Sequence, residues 1–310
     1  MFLKNFINKI LSKKKILIIY RFGNSIGDQL CLTAVVSQLN KNYNSKIILF
    51  TSYPELFFNN PNFYKIFYFK NLFIMKIVNK IFNNLEGDYF LEYGSKIASF
   101  GNKYFMYNKG KQHLANIHAS NFKVYNSNNK NNLSCEFFFS NKEIIFFEKK
   151  YKFKNKFCLV QSEAKKTFTP NKNWYPKRFD QIINDLKFID WVQVGFDSDY
   201  KINNTTDLRS KTNLRELAYL VSRCEFVLCL EGFLNHLASC FKKKTFIITS
   251  GFVPKEIIKY ENSFFIRSKI TPACDPCYLL SKCPVKDYPC MNNILAEDVI
   301  NVIKNNYYVL

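Results

Sequence analysis

KKILIIYRFGNSIGDQLCLTAVVSQL, residues 14–39, carries a strand, a glycine-bearing turn and a helix in immediate succession. Ile16, Leu17, Ile18, Ile19 and Tyr20 are consecutive apolar β-formers, a pattern that suits a strand covered on both faces. Gly23 and Gly27 permit positive φ in the following turn and let a ligand approach the backbone. From Asp28 onward, Leu30, Leu32, Ala34, Val35, Gln38 and Leu39 carry helical spacing. In an open α/β sheet, ligands bind beyond the carboxyl ends of such strands. Asp28 is thus placed to act as a base, and also to cap a helix N-terminus, a contribution of about 1 kcal/mol.

The same grammar continues along the chain. Strands are expected over 46–52, 64–69 and 89–93, with a helix over 72–82. The polar run NSNNKNNLS at 126–134 reads as a surface loop. The Lys- and Phe-rich segment 143–156 places a boundary that divides the chain into domains 1–150 and 151–310. Beyond it, strands are expected over 157–161, 191–195, 226–230 and 244–250. Helices are expected over 176–186, 213–223, 234–241 and 296–305. Strands alternating with helices argue for an α/β class with parallel sheets. Two successive doubly wound units imply a cleft between them, and the chain ends on a helix.

Composition narrows the class of partner. The 310 residues suffice for two domains of about 150 residues, and 47% hydrophobic with 22% charged residues is a globular composition. No apolar run approaches the roughly 18 residues of a membrane span, and the N-terminus lacks a signal peptide's apolar core. A cytoplasmic protein with its ten cysteines reduced is expected. Lysine and arginine number 45 against 24 acidic residues, a net charge of +21. That field favours nucleotides, acidic glycolipids, the membrane surface or nucleic acid, although abundant lysine from an A+T-rich genome accounts for it as well. Phe2, Leu3, Phe6, Ile7, Ile10 and Leu11 share a helical face beside Lys4 and Lys9. The face suits an anionic bilayer; packing onto the protein body is the preferred reading.

Several constellations can carry chemistry. In FVLCLEGFLNHLA, 226–238, a buried strand runs into Glu231 and Gly232, then into a helix whose first turn holds Asn235 and His236. Free N–H groups and the positive end of the helix dipole make such a turn a phosphate site. Glu231 can hold ribose or base groups and His236 can touch a diphosphate; a capped helix with a core histidine fits equally. In the loop before the helix over 176–186, Lys172 can neutralise a leaving phosphate. Trp174 can wall the pocket, and Thr167 and Thr169 can donate to phosphate oxygens. Asp197 follows Gly195 at a strand end, where a carboxylate can accept from ribose hydroxyls or form a turn. Cys274, Cys277, Cys283 and Cys290 open with a CxxC knuckle and can hold structural zinc or iron, or stand as four reduced thiols in a loop. No P-loop or GxGxxG is present, and three histidines without HExxH exclude a zinc protease. No element stands out as interleaving basic residues with exposed aromatics, so no specific nucleic-acid partner is expected.

Taken in order, these segments resemble the family 9 glycosyltransferases, the ADP-heptose:lipopolysaccharide heptosyltransferases. The resemblance rests on FGNSIGDQLCLTAVVSQL (22–39), NKNWYPKRF (171–179), VQVGFDSD (192–199), NLRELAYLVSRCEFVLCLEGFLNHLA (213–238) and PCMNNILAEDV (289–299). It implies a GT-B fold of two Rossmann-like domains, the first binding acceptor and the second nucleotide sugar. It further implies inverting transfer of a sugar, heptose among the candidates, from an ADP-sugar or related donor to a glycan or anionic glycolipid of the cell envelope. By position, Asp28 matches the catalytic base, Lys172 the lysine on the donor phosphates, and Asp197 the acidic residue near the ribose. The 231–236 turn matches the family's Asp-Ser/Thr-Gly-x-x-His motif, with Glu231, Gly232 and Phe233 in place of its first three residues. Cysteine tails of this kind occur in parts of the family, and related autotransporter heptosyltransferases hold a metal there. Such an enzyme would work in the cytoplasm, peripherally at the inner membrane. An inactive basic protein of the same ancestry, holding nucleic acid or an envelope component, is the alternative.

Overall fold

The computed structural model describes residues 16–21, 25–43, 46–69, 71–85, 96–99, 113–116, 134–153, 155–165 and 168–307. The helix expected over 2–11, Gly23, the strand over 89–93, most of the loop 126–134 and Thr167 lie outside them. The chain forms two compact units, Met1–Ser140 and Asn141–Leu310.

In the first unit, β1 (Ile16–Arg21), β2 (Lys46–Thr51), β3 (Lys65–Tyr68) and β4 (Lys96–Ser99) form a parallel sheet ordered β3-β2-β1-β4. The chain steps outward from β1 to β3 and then returns to the other side of β1. The carboxyl end of β1 is therefore a topological switch point. Leu17, Ile19 and Tyr20 are buried there, while Ile18 is only partly covered. The expected single helix is divided into Ile26–Cys31 and Thr33–Tyr43. Thr33 Oγ1 donates to the Leu30 carbonyl at 2.7 Å and accepts the Glu136 N–H at 2.8 Å. A hydroxyl that captures a helix carbonyl competes with the ladder at that point. Gly27 lies inside the first of these helices, so the turn conformation expected of it is not used.

In the second unit, β5 (Phe157–Val160), β6 (Asp190–Gln193), β7 (Thr206–Asp207), β8 (Phe226–Leu230), β9 (Lys244–Ile248) and β10 (Ser263–Ile266) pair in the order β10-β9-β8-β5-β6-β7, all parallel. Counted from β5, this is the 3-2-1-4-5-6 order of dinucleotide-binding sheets, read from the far edge. All five residues of β8 are buried. The Phe226 ring meets Trp191 and Phe246 edge-on at 5.4 and 5.1 Å, an arrangement that rings prefer over face-to-face stacking. Helix Leu214–Arg223 starts on a capping box between Asn213 and Glu216. Helix Ala296–Tyr307 closes the core with Val299, Ile300 and Ile303.

The helix Asn141–Lys150 belongs to this second unit, which moves the boundary ten residues ahead of the one read from sequence. Arg215 grips Glu143 through Nε at 2.5 Å and Nη2 at 2.9 Å. Phe147 packs on Tyr219 with ring centroids 5.3 Å apart. Both contacts link residues about seventy positions apart, so local composition carries no sign of them. Among the described residues, no helix is long and apolar enough to cross a membrane.

Candidate functional site

The switch point of the second unit lies between β5 and β8, and the loops leaving their carboxyl ends bring Lys172 and Glu231 together. Lys172 Nζ lies 2.6 Å from Glu231 Oε1. The ammonium also lies 5.1 Å from the Phe168 ring and 4.9 Å from the Phe252 ring, close enough for the ring quadrupoles to attract it. Glu231 Oε2 is buried with no hydrogen-bond partner among the described residues.

Immediately after this carboxylate, Gly232 caps helix Phe233–Cys240 with extended backbone and no side-chain cap. A Cβ on Gly232 would meet nothing within 4 Å. Bare first-turn N–H groups carry the positive end of the helix dipole, and here they open on free space next to the half-buried Lys172. A phosphate group suits that setting. Phe168, 48% exposed, adds an aromatic surface at its rim. Sequence reading missed Phe168 and Phe252, because their value depends on where Lys172 ends.

The other expected site residues separate into distinct roles. His236 is buried; its Nδ1 lies 2.7 Å from the Tyr260 hydroxyl and its ring meets Tyr260 edge-on. That geometry suits a positioned histidine of the helix core. Asn235 donates from Nδ2 to the Ile258 carbonyl at 2.9 Å. Asp197 is exposed on the loop after β6, and its carboxylate makes no hydrogen bond with a described residue. The loop is nevertheless fixed. Gly195 adopts φ +138°, and a Cβ there would fall 2.3 Å from Asp199 Oδ2. Arg209 Nη1 donates to the carbonyls of Asp199 at 2.5 Å and Asp197 at 3.3 Å. Arg209 is itself held by Asp207 through two bonds of 2.9 Å, and this pairing holds the Asp207 carboxyl down at about 2.

Thr169 and Trp174 are corrections. Thr169 Oγ1 donates to the Leu279 carbonyl at 2.9 Å and accepts from Asn171 N–H, so it shapes the loop and is not turned toward a ligand. Trp174 is buried against Phe179 and donates to the Ile294 carbonyl at 3.1 Å; it belongs to the core.

Among the described residues, no group of three or more His, Cys, Asp or Glu is arranged to hold a metal ion. Cys274, Cys277, Cys283 and Cys290 are unpaired thiols. Burial and then the neighbouring thiols push both Cys290 and Cys277 up. The backbone is anchored elsewhere. Asn171 Nδ2 donates to the carbonyls of Leu279 and Ser281 at 2.8 and 2.7 Å, and its Oδ1 accepts Cys283 N–H at 3.1 Å. The Tyr288 hydroxyl donates to the Asn171 carbonyl. Arg267 Nη2 holds Asp275 at 2.7 Å. Through these contacts the segment buttresses the loop that carries Lys172.

In the first unit, Asp28 sits in the first turn of helix Ile26–Cys31, just past the switch point of its sheet. It makes no cap bond. Arg21 Nη2, at the end of β1, reaches its Oδ2 at 3.0 Å. Both side chains are partly buried, and Asp28 Oδ1 has no partner among the described residues.

No family model matches the sequence, and no curated protein matches it. Solved structures do. A family 9 glycosyl transferase from Veillonella parvula is similar over 95% of this chain and 97% of its own, with a TM-score of 0.68 at 12% identity. The fold is that of the family 9 glycosyltransferases. E. coli ADP-heptose LPS heptosyltransferase II shares this glycosyltransferase fold with a TM-score of 0.65 at 12% identity, over 94% of this chain and 97% of its own. The iron-containing dodecameric glycosyltransferase TibC from enterotoxigenic E. coli shares it at 0.64 and 14% identity, over 94% and 76%; TibC has also been solved with ADP-D-β-D-heptose.

Proposed function

We propose that the chain is an inverting glycosyltransferase whose second unit binds a nucleotide-diphosphate sugar. The observation that carries this reading is the ion pair of half-buried Lys172 with buried Glu231 at a switch point, beside an uncapped helix start facing open space. The donor bound by TibC makes an ADP-sugar the first candidate, heptose included. The acceptor is proposed to be a glycan or anionic glycolipid of the cell envelope, which a chain of +21 charge would attract.

In this reading, the donor diphosphate lies over the first turn of helix Phe233–Cys240 and within reach of Lys172. Asp197, on its braced loop, accepts from ribose hydroxyls. An acceptor hydroxyl attacks the anomeric carbon, the bond from that carbon to the phosphate oxygen breaks, and the electron pair leaves on the diphosphate. Lys172 and the helix dipole stabilise that charge as it grows. Asp28 takes the acceptor's proton on Oδ1 while Arg21 fixes the carboxylate through Oδ2.

The test is a thermal-shift panel of nucleoside diphosphates and nucleotide sugars on the full chain. A selective rise is expected for one nucleotide class, about 2.7 kcal/mol of stabilisation at a concentration a hundred times Kd. Absence of a response to every diphosphate, or an undiminished response in Lys172→Ala, would remove the donor assignment.

A further inference from the structure

Helix Leu72–Leu85 in the first unit presents an apolar surface that the donor reading does not use. Asn71 Oδ1 caps it, accepting Phe73 N–H at 2.8 Å and Ile74 N–H at 3.3 Å. Its inner side packs on β4 and, through Met75, reaches the residue after β2: the Met75 sulfur accepts the Ser52 hydroxyl at 3.7 Å. Its outer side is bare: Phe73 is 70% exposed, Ile77 44%, Ile74 43% and Ile81 37%. At about 100° per residue these four share an arc of roughly 100°. Lys76 and Lys80 follow on one flank, both exposed and with no ion pair to a described residue. On the edge strand β3, Phe67 is exposed on one face, where it stacks on Phe50 with ring centroids 5.0 Å apart, and Tyr68 on the other. Between 56 and 85 the sequence has four lysines and no acidic residue.

Soluble proteins rarely leave apolar side chains contiguous and uncovered in this way. We infer that this helix docks on an anionic lipid surface. A helix lying in the plane of the interface buries one apolar arc while its lysines reach up to the headgroups. Charge separates lipid from a second copy as the occupant: an isologous contact brings the same lysine-rich, acid-free patch against itself, whereas anionic headgroups neutralise it.

The test is co-sedimentation of the full chain with vesicles of phosphatidylcholine, alone or mixed with phosphatidylglycerol. Binding is expected on the mixed vesicles and is expected to weaken with salt. Lys76→Gln with Lys80→Gln should weaken it roughly fivefold per lysine, and Phe73→Ser with Ile77→Ser about tenfold or more. These side chains are exposed, so a melt unchanged from the parent protein checks that each variant is folded. Equal binding to neutral vesicles, or binding untouched by either variant, as attachment through 2–11 would give, overturns the inference. So does a concentration-dependent dimer that Phe73→Ser abolishes. Nucleotide binding is read separately by thermal shift, so failure of the donor reading and failure of this one are distinguishable.

Discussion

Replacing Lys172 by Met should unsettle the second unit more than replacing Lys172 and Glu231 together. The Lys172 side chain is 16% exposed and that of Glu231 5%, and one carboxylate oxygen already lacks a partner. Removing the lysine strands a buried carboxylate, for which a loss of about 3 kcal/mol is expected, the low end for a broken buried pair because Lys172 keeps some solvent. For a unit the size of Asn141–Leu310, that lowers Tm by roughly 6 to 12 °C. Glu231→Gln alone leaves Lys172 over two rings with an amide oxygen in reach, at about 1–2 kcal/mol. In the double variant, Lys172→Met with Glu231→Gln, no charge is buried, and coupling of about 1–3 kcal/mol should reappear as recovered stability. Both tryptophans of the chain, Trp174 and Trp191, lie in this unit's core, so tryptophan fluorescence reads its melting directly. Strictly additive losses, or a Lys172→Met variant within about 1 kcal/mol of the parent, would show that the two side chains do not form a desolvated pair and would remove the electrostatic basis of the donor site.

Asp28→Asn should keep the nucleotide-induced thermal shift and lose transfer by about a hundredfold or more, as expected for a missing general base; turnover at the parental rate takes Asp28 out of the chemistry. Gly195→Ala places a Cβ against Asp199 in a backbone region that side chains avoid, and should cost about 1–3 kcal/mol in a denaturant titration. The Asp207 carboxyl, held down by Arg209, contributes stability that is present above the ordinary aspartate range and is lost as pH falls through about 2. Asp207→Asn should therefore flatten the acid limb of the melting curve between the usual aspartate value and that limit, while a limb identical to the parent's would deny the pairing. Metal analysis of fresh protein should find no stoichiometric zinc or iron, and chelator should leave Tm unchanged; one bound metal per chain would mean the four cysteines rearrange to hold it.

Much of this was legible locally. The β5–β6 and β8–β9 strands and the helices between them announce themselves through runs such as FVLCL and the capped NLRELAYLVSR, because burial and capping act over a few residues. The two-residue strand β7 was not legible, since its pairing is set by the neighbouring β6, and β10 was not anticipated either. Nor was helix Asn141–Lys150, whose tie is the Arg215–Glu143 pair. At the site, Lys172 and the 231–236 turn stood out by residue type, but sequence offered His236, Thr169 and Trp174 with equal force. The fold turned each of these three to a partner of its own, at Tyr260, Leu279 and Ile294.

From its residues alone, the chain fixed an α/β class, two units, and the chemical types available at each strand end. Hydrophobic period and capping are short-range effects, and a single sequence records them. Which side chains meet was decided by strand order: β8 lies beside β5 although some seventy residues separate them. Only that adjacency pairs Lys172 with Glu231. Contacts of that reach depend on the whole sheet, so no window of sequence contains them.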